Sequence, residues 1–244
     1  MGAACAIIKA GAGGEGPQGA PAAAGARGPR PRRPPEAAGP AGLPDPAADC
    51  TKEGSAMPLP LERQLLAYRP CNEQETRDRA LLLQYLTQPD IFTRQNETAH
   101  FTASAWVVNH ARSRVLMVYH NIYNSWSWTG GHADGERDLL AVALREVAEE
   151  TGLKTLRPIS ENLFSVEILT VNGHMKRGAY VPSHLHLNGT YLIEADDTEP
   201  LSVKADENSG VRWFSPEEAV AASTEPWMRD WIYRKLNRKL PSFP

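Results

Sequence analysis

The chain predicts a mixed α/β fold, and three observations carry that prediction. Short apolar segments with strand character stand both before and after a central helical segment. That helix opens from a glycine-rich turn, and a second amphipathic helix closes the chain. Taken in order, residues 71–88, "CNEQETRDRALLLQYLTQ", have helical periodicity with Leu81, Leu82 and Tyr85 on one stripe. After Pro89, "HFTASAWVVN" (100–109) and "RVLMVYH" (114–120) read as strands joined by the polar "HARS" turn. "SWSW" (125–128) is short and alternating and leads into the glycine turn. Residues 138–151 form a helix that ends with Gly152 at its C-cap. "LFSVEILTV" (163–171) and "HLHLNGTYLIEA" (184–195) are longer strands, and "NGHMKRGAYVPS" between them reads as an irregular loop. "VRWF" (211–214) is a last strand. Ser215 then caps "PEEAVAA" with proline at the first helical position, and "PWMRDWIYRKLNRKL" (226–240) is the closing helix. No internal repeat is visible.

Composition narrows the function classes. With 41% hydrophobic and 23% charged residues and a net charge of -3, the 244-residue chain reads as one globular domain with an appendage. No apolar run reaches the roughly 18 residues that span a bilayer, so a membrane protein is not expected. The slightly negative balance gives no reason to expect a long nucleic acid as partner. Cys5, Cys50 and Cys71 are too few and too scattered for a disulfide framework or a zinc-cysteine site, which suits a reducing, cytoplasmic location.

The chain divides by composition into three parts. Residues 1–56 hold 16 Ala, 11 Gly and 9 Pro and no Phe, Trp or Tyr, so they cannot bury enough apolar surface to order themselves, and a disordered extension is expected. Prolines in "ARGPRPRRPP" prevent the amphipathic helix of a transit peptide, and Ala6 stands where a myristoylation signal has Ser or Thr. The reading we favour is that the working protein starts at Met57. Residues 57–97 then form a helical N-terminal addition, and 98–244 the main domain.

The segment "TGGHADGERDLLAVALREVAEETGL" (129–153) carries the chemistry. On a helical wheel Leu140, Ala143, Leu144 and Val147 fall on one stripe, the buried face. Glu146, Glu149 and Glu150 are spaced i, i+3, i+4 and cluster on another face, with Arg145 the one cation beside them. Three carboxylates so placed repel one another unless a cation lies between them, and hard oxygen donors suit Mg²⁺ or Mn²⁺. The glycine turn lets backbone approach closely, so the Gly131 carbonyl could join them. Three glutamates alone would more often be a solvated acidic stripe; the ordered string around them decides.

That string resembles the Nudix box: glycine, five residues, glutamate, seven residues, then Arg-Glu-aliphatic-x-Glu-Glu-x-Gly-aliphatic. Gly131 begins it and "REVAEETGL" (Arg145 to Leu153) completes it, so eight of nine specified positions match within 23 residues. Arg137 stands where the pattern has its first glutamate, with Glu136 just before it. In the family that glutamate supports the arginine, so the departure bears on local helix support more than on metal binding. The resemblance runs over roughly residues 98–235. It implies an α/β/α sandwich around a mixed sheet, and hydrolysis of a nucleoside diphosphate linked to another moiety by water attack at phosphorus. It also implies metal ligation by Glu146, Glu149, Glu150 and the Gly131 carbonyl, with Arg145 orienting the glutamates. The general base would be Glu146, or a later acid such as Glu207 in "KADENSG".

The resemblance leaves rivals. An isomerase of the isopentenyl diphosphate type shares the fold, but the full acidic box argues for hydrolysis. A non-catalytic nucleotide sensor would be expected to lose box residues, and here the three glutamates are intact. The substrate is a small nucleotide-like molecule left unspecified, and a homodimer is left open. His184 and His186 alternate on a strand and share one face; a zinc pair is conceivable, but with no third ligand suggested a polar lining is the preferred reading. Lys176 and Arg177 could meet phosphates or be solvated. Trp126, Trp128 and Trp213 read as core, although one of the first two could stack on a base.

Overall fold

The computed structural model describes residues 60–176 and 178–243. The extension at 1–56 and Arg177, together with the side chain of Lys176, lie outside the described residues.

Alternation along the strands builds two cores, one on each face of a single sheet. The central strand β1 (Ala99–Val108) is buried along its whole length. Phe101, Ala103, Ala105 and Val107 enter one core, while Trp106 and Val108 enter the other. The next strand, β2 (Val115–His120), repeats the division: Leu116 goes to the first core, Val115 and Met117 to the second. A period of two with both faces buried is what a sheet covered on both sides requires.

The first core is covered by α1 (Leu61–Ala67), α2 (Glu73–Tyr85) and α3 (Leu139–Thr151), through Leu65, Leu82, Val142, Ala143 and Val147 among others. The second is covered by α4 (Pro216–Ala222) and the C-terminal helical segment, which supply Val220, Tyr233 and Leu236. The architecture is therefore an α/β/α sandwich, as expected. The sheet has eight strands. Short strands β3 (Ser125–Ser127) and β4 (Thr129–His132) pair antiparallel with β2 and β1 respectively. Then β5 (Leu156–Pro158) and β6 (Ser165–Val171) both pair antiparallel with a long later strand. That strand, β9 (His184–Ala195), runs parallel to β1, so the sheet is mixed. Strand β10 (Asn208–Phe214) closes the far edge against β2.

Three expectations need correction. The "NGHMKRGAYVPS" segment is not an irregular loop: it holds a small hairpin, β7 (His174–Lys176) with β8 (Ala179–Val181). In α2, Leu82 is buried but Leu81 is 42% exposed, because the buried face of that helix also takes Glu75. The closing helix is not uniform: Met228–Tyr233 is a π-helical turn that passes into α5 (Arg234–Lys239).

Glu75 is buried for a reason. With Glu167 on β6 it meets two cations from α5: Lys235 Nζ lies 3.3 Å from Glu75 and 2.8 Å from Glu167, and Lys239 Nζ lies 2.9 Å from Glu75. The Ser165 hydroxyl lies between Glu75 and Glu167, with its one proton for either carboxylate, and Asn188 and Thr190 donate to the other Glu167 oxygen. Burial alone would raise the Glu75 carboxyl, but the two lysines more than offset it and hold it at about 2. This network bolts α2 to the sheet and to the C-terminal helix.

Candidate active site at the glycine turn and helix α3

Strand β4 carries the glycines against the middle of β1: Gly130 pairs with Ser104 and Gly131 with Ala103. Neither position has room for a side chain as the neighbours stand: position 130 is closed by backbone, position 131 by the head of one side chain. A Cβ on Gly130 would sit 2.6 Å from the Ala103 carbonyl, and one on Gly131 would sit 2.6 and 2.7 Å from the two carboxylate oxygens of Glu146. The second fact places the Glu146 head directly on the backbone of the turn. The turn then leads to α3, whose first amides are held by Asp138: its side chain accepts from Leu140 and Ala141 at 3.0 and 3.2 Å. At the other end Gly152 takes φ 77, the left-handed cap that glycine tolerates.

The departure from the box at position 137 has a local explanation. Glu136 accepts from the amides of Arg137 and Asp138 at 2.7 and 2.9 Å, so it secures the helix entry. The Arg137 guanidinium lies over the Phe92 ring, 4.8 Å from its centroid. Arg145 draws its support from elsewhere: it lies 3.2 Å from Glu146 and 3.9 Å from Glu149, and it donates to the His132 carbonyl at 3.5 Å.

The three box glutamates occupy three different environments. Glu150 is buried; one oxygen accepts from the Gly130 amide at 2.9 Å and the other from Asn208 Nδ2 on β10 at 3.1 Å. Burial pushes its carboxyl up to about 7, against the pull of those two donors. Glu146 is partly buried, and burial, with the neighbouring Glu149 charge, raises its carboxyl despite Arg145. Glu149 is half exposed and reaches Lys204 Nζ at 3.3 Å. The same ammonium binds Glu207 at 2.9 Å, and these two carboxylates hold the Lys204 charge more firmly than its burial opposes it. Gly131, Arg145, Glu146, Glu149, Glu150 and Glu207 thus share one neighbourhood. The sequence reading missed Lys204 and Asn208, which complete it from a loop and an edge strand.

A second cluster lies along the same strands. His100 on β1, His132 on β4, and His184 and His186 on β9 each offer one ring nitrogen within 4.8 Å of the others. Among the described residues this is the one group of three or more metal-capable side chains so closely gathered. Strand register produces it: His100 stands beside His186, and His132 opposite Thr102, two residues along β1. The polar-lining reading of His184 and His186 lacked His100 and His132, which arrive from 84 and 52 residues earlier in the chain. Burial holds the His186 ring well below the usual imidazole range and lowers His100 as well. Arg94, whose field also reaches both rings, is paired with Asp134.

Trp126, Trp128 and Trp213 behave as structural residues. Trp126 and Trp128 are partly buried against the second core, Trp126 edge-on to Phe214 and Trp128 edge-on to Tyr233. Trp213 is partly buried against the first core, and its Nε1 has no partner. Among the described residues no helix is long and apolar enough to cross a membrane.

Comparison with known proteins places this arrangement. No curated protein matches the chain in sequence. Solved structures that resemble it include a C. elegans Ap4A hydrolase binary complex, at 18% identity and TM-score 0.44, covering 58% of this chain and 99% of that one. A NUDIX family hydrolase from Clostridium perfringens shares 21% identity with TM-score 0.40, covering 57% and 97%. The E. coli dihydroneopterin triphosphate pyrophosphohydrolase shares 15% with TM-score 0.41, covering 55% and 92%. Residues 98–235, more than half of the chain, match the NUDIX domain family model. The chain belongs to the Nudix hydrolase family.

Proposed function

We propose that the protein is a cytosolic, divalent-metal-dependent hydrolase that cleaves the diphosphate linkage of a nucleoside diphosphate derivative. The observation that carries this reading is the seating of the Glu146 carboxylate on the backbone of Gly131, a contact that any side chain at position 131 would block. It sets a hard oxygen donor against the glycine turn, whose Gly131 carbonyl we take as a second donor, with Glu149 one helical turn further on. That donor set fits Mg²⁺ or Mn²⁺, with Glu146, Glu149, Glu150 and the Gly131 carbonyl as the residues that would hold it. When bound, such an ion neutralises phosphate charge and lowers the pKa of a coordinated water.

The chain's own residues do the rest. Arg145 lies between Glu146 and Glu149 and keeps both heads oriented. Glu150 fixes the Gly130 amide, and so the path of the turn. Lys204 balances Glu149 and Glu207 and supplies a cation beside the diphosphate. Water attacks phosphorus, the bridging P–O bond breaks, and a carboxylate takes the proton from the water. Glu146, which sits against the glycine turn, is the candidate for that role, and Glu207 is the alternative. The test is a product-mass screen of the purified chain against a panel of nucleoside diphosphate derivatives with Mg²⁺, repeated in EDTA. Turnover of at least one compound, abolished by chelator, is expected. Turnover that persists in chelator would overturn the metal-dependent reading, and binding without turnover across the panel would point to a sensor.

A further inference from the structure

The four histidines have three properties of metal ligands. The first is spacing. Tetrahedral zinc, with Zn–N of about 2.0–2.1 Å, requires ligand atoms about 3.3 Å apart. His184 Nε2 and His186 Nε2 stand 3.2 Å apart, and all four nitrogens lie within 4.8 Å. The second is orientation. His100 Nδ1 lies 3.0 Å from the Asn96 carbonyl, and His184 Nδ1 2.9 Å from the Pro182 carbonyl. A carbonyl only accepts, so each Nδ1 carries the hydrogen and each Nε2 keeps its lone pair. An outer hydrogen bond to a backbone carbonyl is how metal-binding histidines are held. The third is an unmet need: His100 is 4% exposed, and its Nε2 is buried with no hydrogen-bond partner.

We propose that His100, His132, His184 and His186 form a binding site for a borderline divalent metal, with Zn²⁺ as the ion it takes. Imidazole nitrogens select zinc-like ions, whereas carboxylate and carbonyl oxygens select magnesium, so this site is chemically separate from the box glutamates. Four imidazoles close a tetrahedral shell and leave no open position, which makes the ion a structural one. It would tie β1, β4 and β9 together at the residue that follows Gly131. The assignment stands whether or not the proposed reaction is correct.

Metal analysis of the full chain tests it. Wild type, Glu146→Gln/Glu149→Gln and His184→Asn/His186→Asn proteins are loaded with Zn²⁺ and dialysed against buffer with excess Mg²⁺. One zinc per chain is expected in wild type and in the glutamate variant, and none in the histidine variant. The Co²⁺ spectrum of the unmodified chain decides the matter if the histidine variant fails to fold. Intense visible bands of tetrahedral nitrogen coordination support the site. No retained zinc in wild type, zinc lost with the glutamates and kept without the histidines, or a weak octahedral cobalt spectrum would each overturn it.

Discussion

Gly131 is the residue at which folding and chemistry separate most cleanly. An added methyl would meet the carboxylate oxygens of Glu146, the mobile end of a flexible side chain, and not packed backbone. Gly131→Ala is therefore expected to fold, with the Glu146 head displaced. Turnover should fall by roughly 100-fold or more, since misplacing one reacting group by about an ångström costs that much; melting temperature and kcat, measured together, check it. Glu149 and Glu150 differ in a way their spacing hides. Glu149 is half exposed and ion-paired, so Glu149→Gln should change stability by no more than about 0.5 kcal/mol. Glu150→Ala should cost more, because the Gly130 amide and Asn208 would each lose their acceptor, at about 1–3 kcal/mol for an unsatisfied donor. Chemical denaturation of the two variants gives the contrast. The box itself was legible because its residues are contiguous and their spacing is their function. Lys204, Asn208, His100 and His132 were not, since each is a single polar residue that reaches the site or cluster through a partner on another element.

At the scale of elements, the network of Glu75, Glu167, Lys235 and Lys239 decides whether α2 and α5 stay on the sheet. Lys235 is 1% exposed, so Lys235→Met leaves two buried carboxylates short of a cation. Losing one partner of a buried pair costs about 3–5 kcal/mol. In a chain of this size that should lower the melting temperature by roughly 10 °C, readable by calorimetry. The same network sets an acid limit. Glu75 titrates at about 2 in the fold, below its ordinary 4.5, so its contribution is fully present above pH 4.5 and is lost as pH falls towards 2. Glu75→Gln should flatten the fall of stability across that window, and a slope equal to wild type would contradict the assignment. The sequence showed α2 but not this role, because a glutamate in a helix of charged residues reads as surface. It also concealed the β7–β8 hairpin, whose turn is supplied by Gly178 at φ 84 without the Asn-Gly or Asp-Gly pair that announces a hairpin. The long strands and α3 were readable because two-sided burial and a single apolar stripe leave strong periodicities.

For the whole molecule, the composition of residues 1–56 predicts that they contribute nothing to folding or catalysis. A chain beginning at Met57 should match the full chain in melting temperature and turnover, and a clear loss of either would refute that. The sheet, the two cores and the seating of α3 together leave one functional statement to be decided: that the glycine turn and the acidic face of α3 are the catalytic centre. The most direct measurement is the turnover of Glu149→Gln beside wild type, with Mg²⁺, on whichever nucleoside diphosphate derivative the wild type cleaves fastest. Loss of one metal contact removes several kcal/mol of transition-state stabilisation, so a fall of roughly a thousandfold is expected, at an unchanged melting temperature. A variant that keeps a near-normal rate on that substrate would show that the chemistry happens somewhere else.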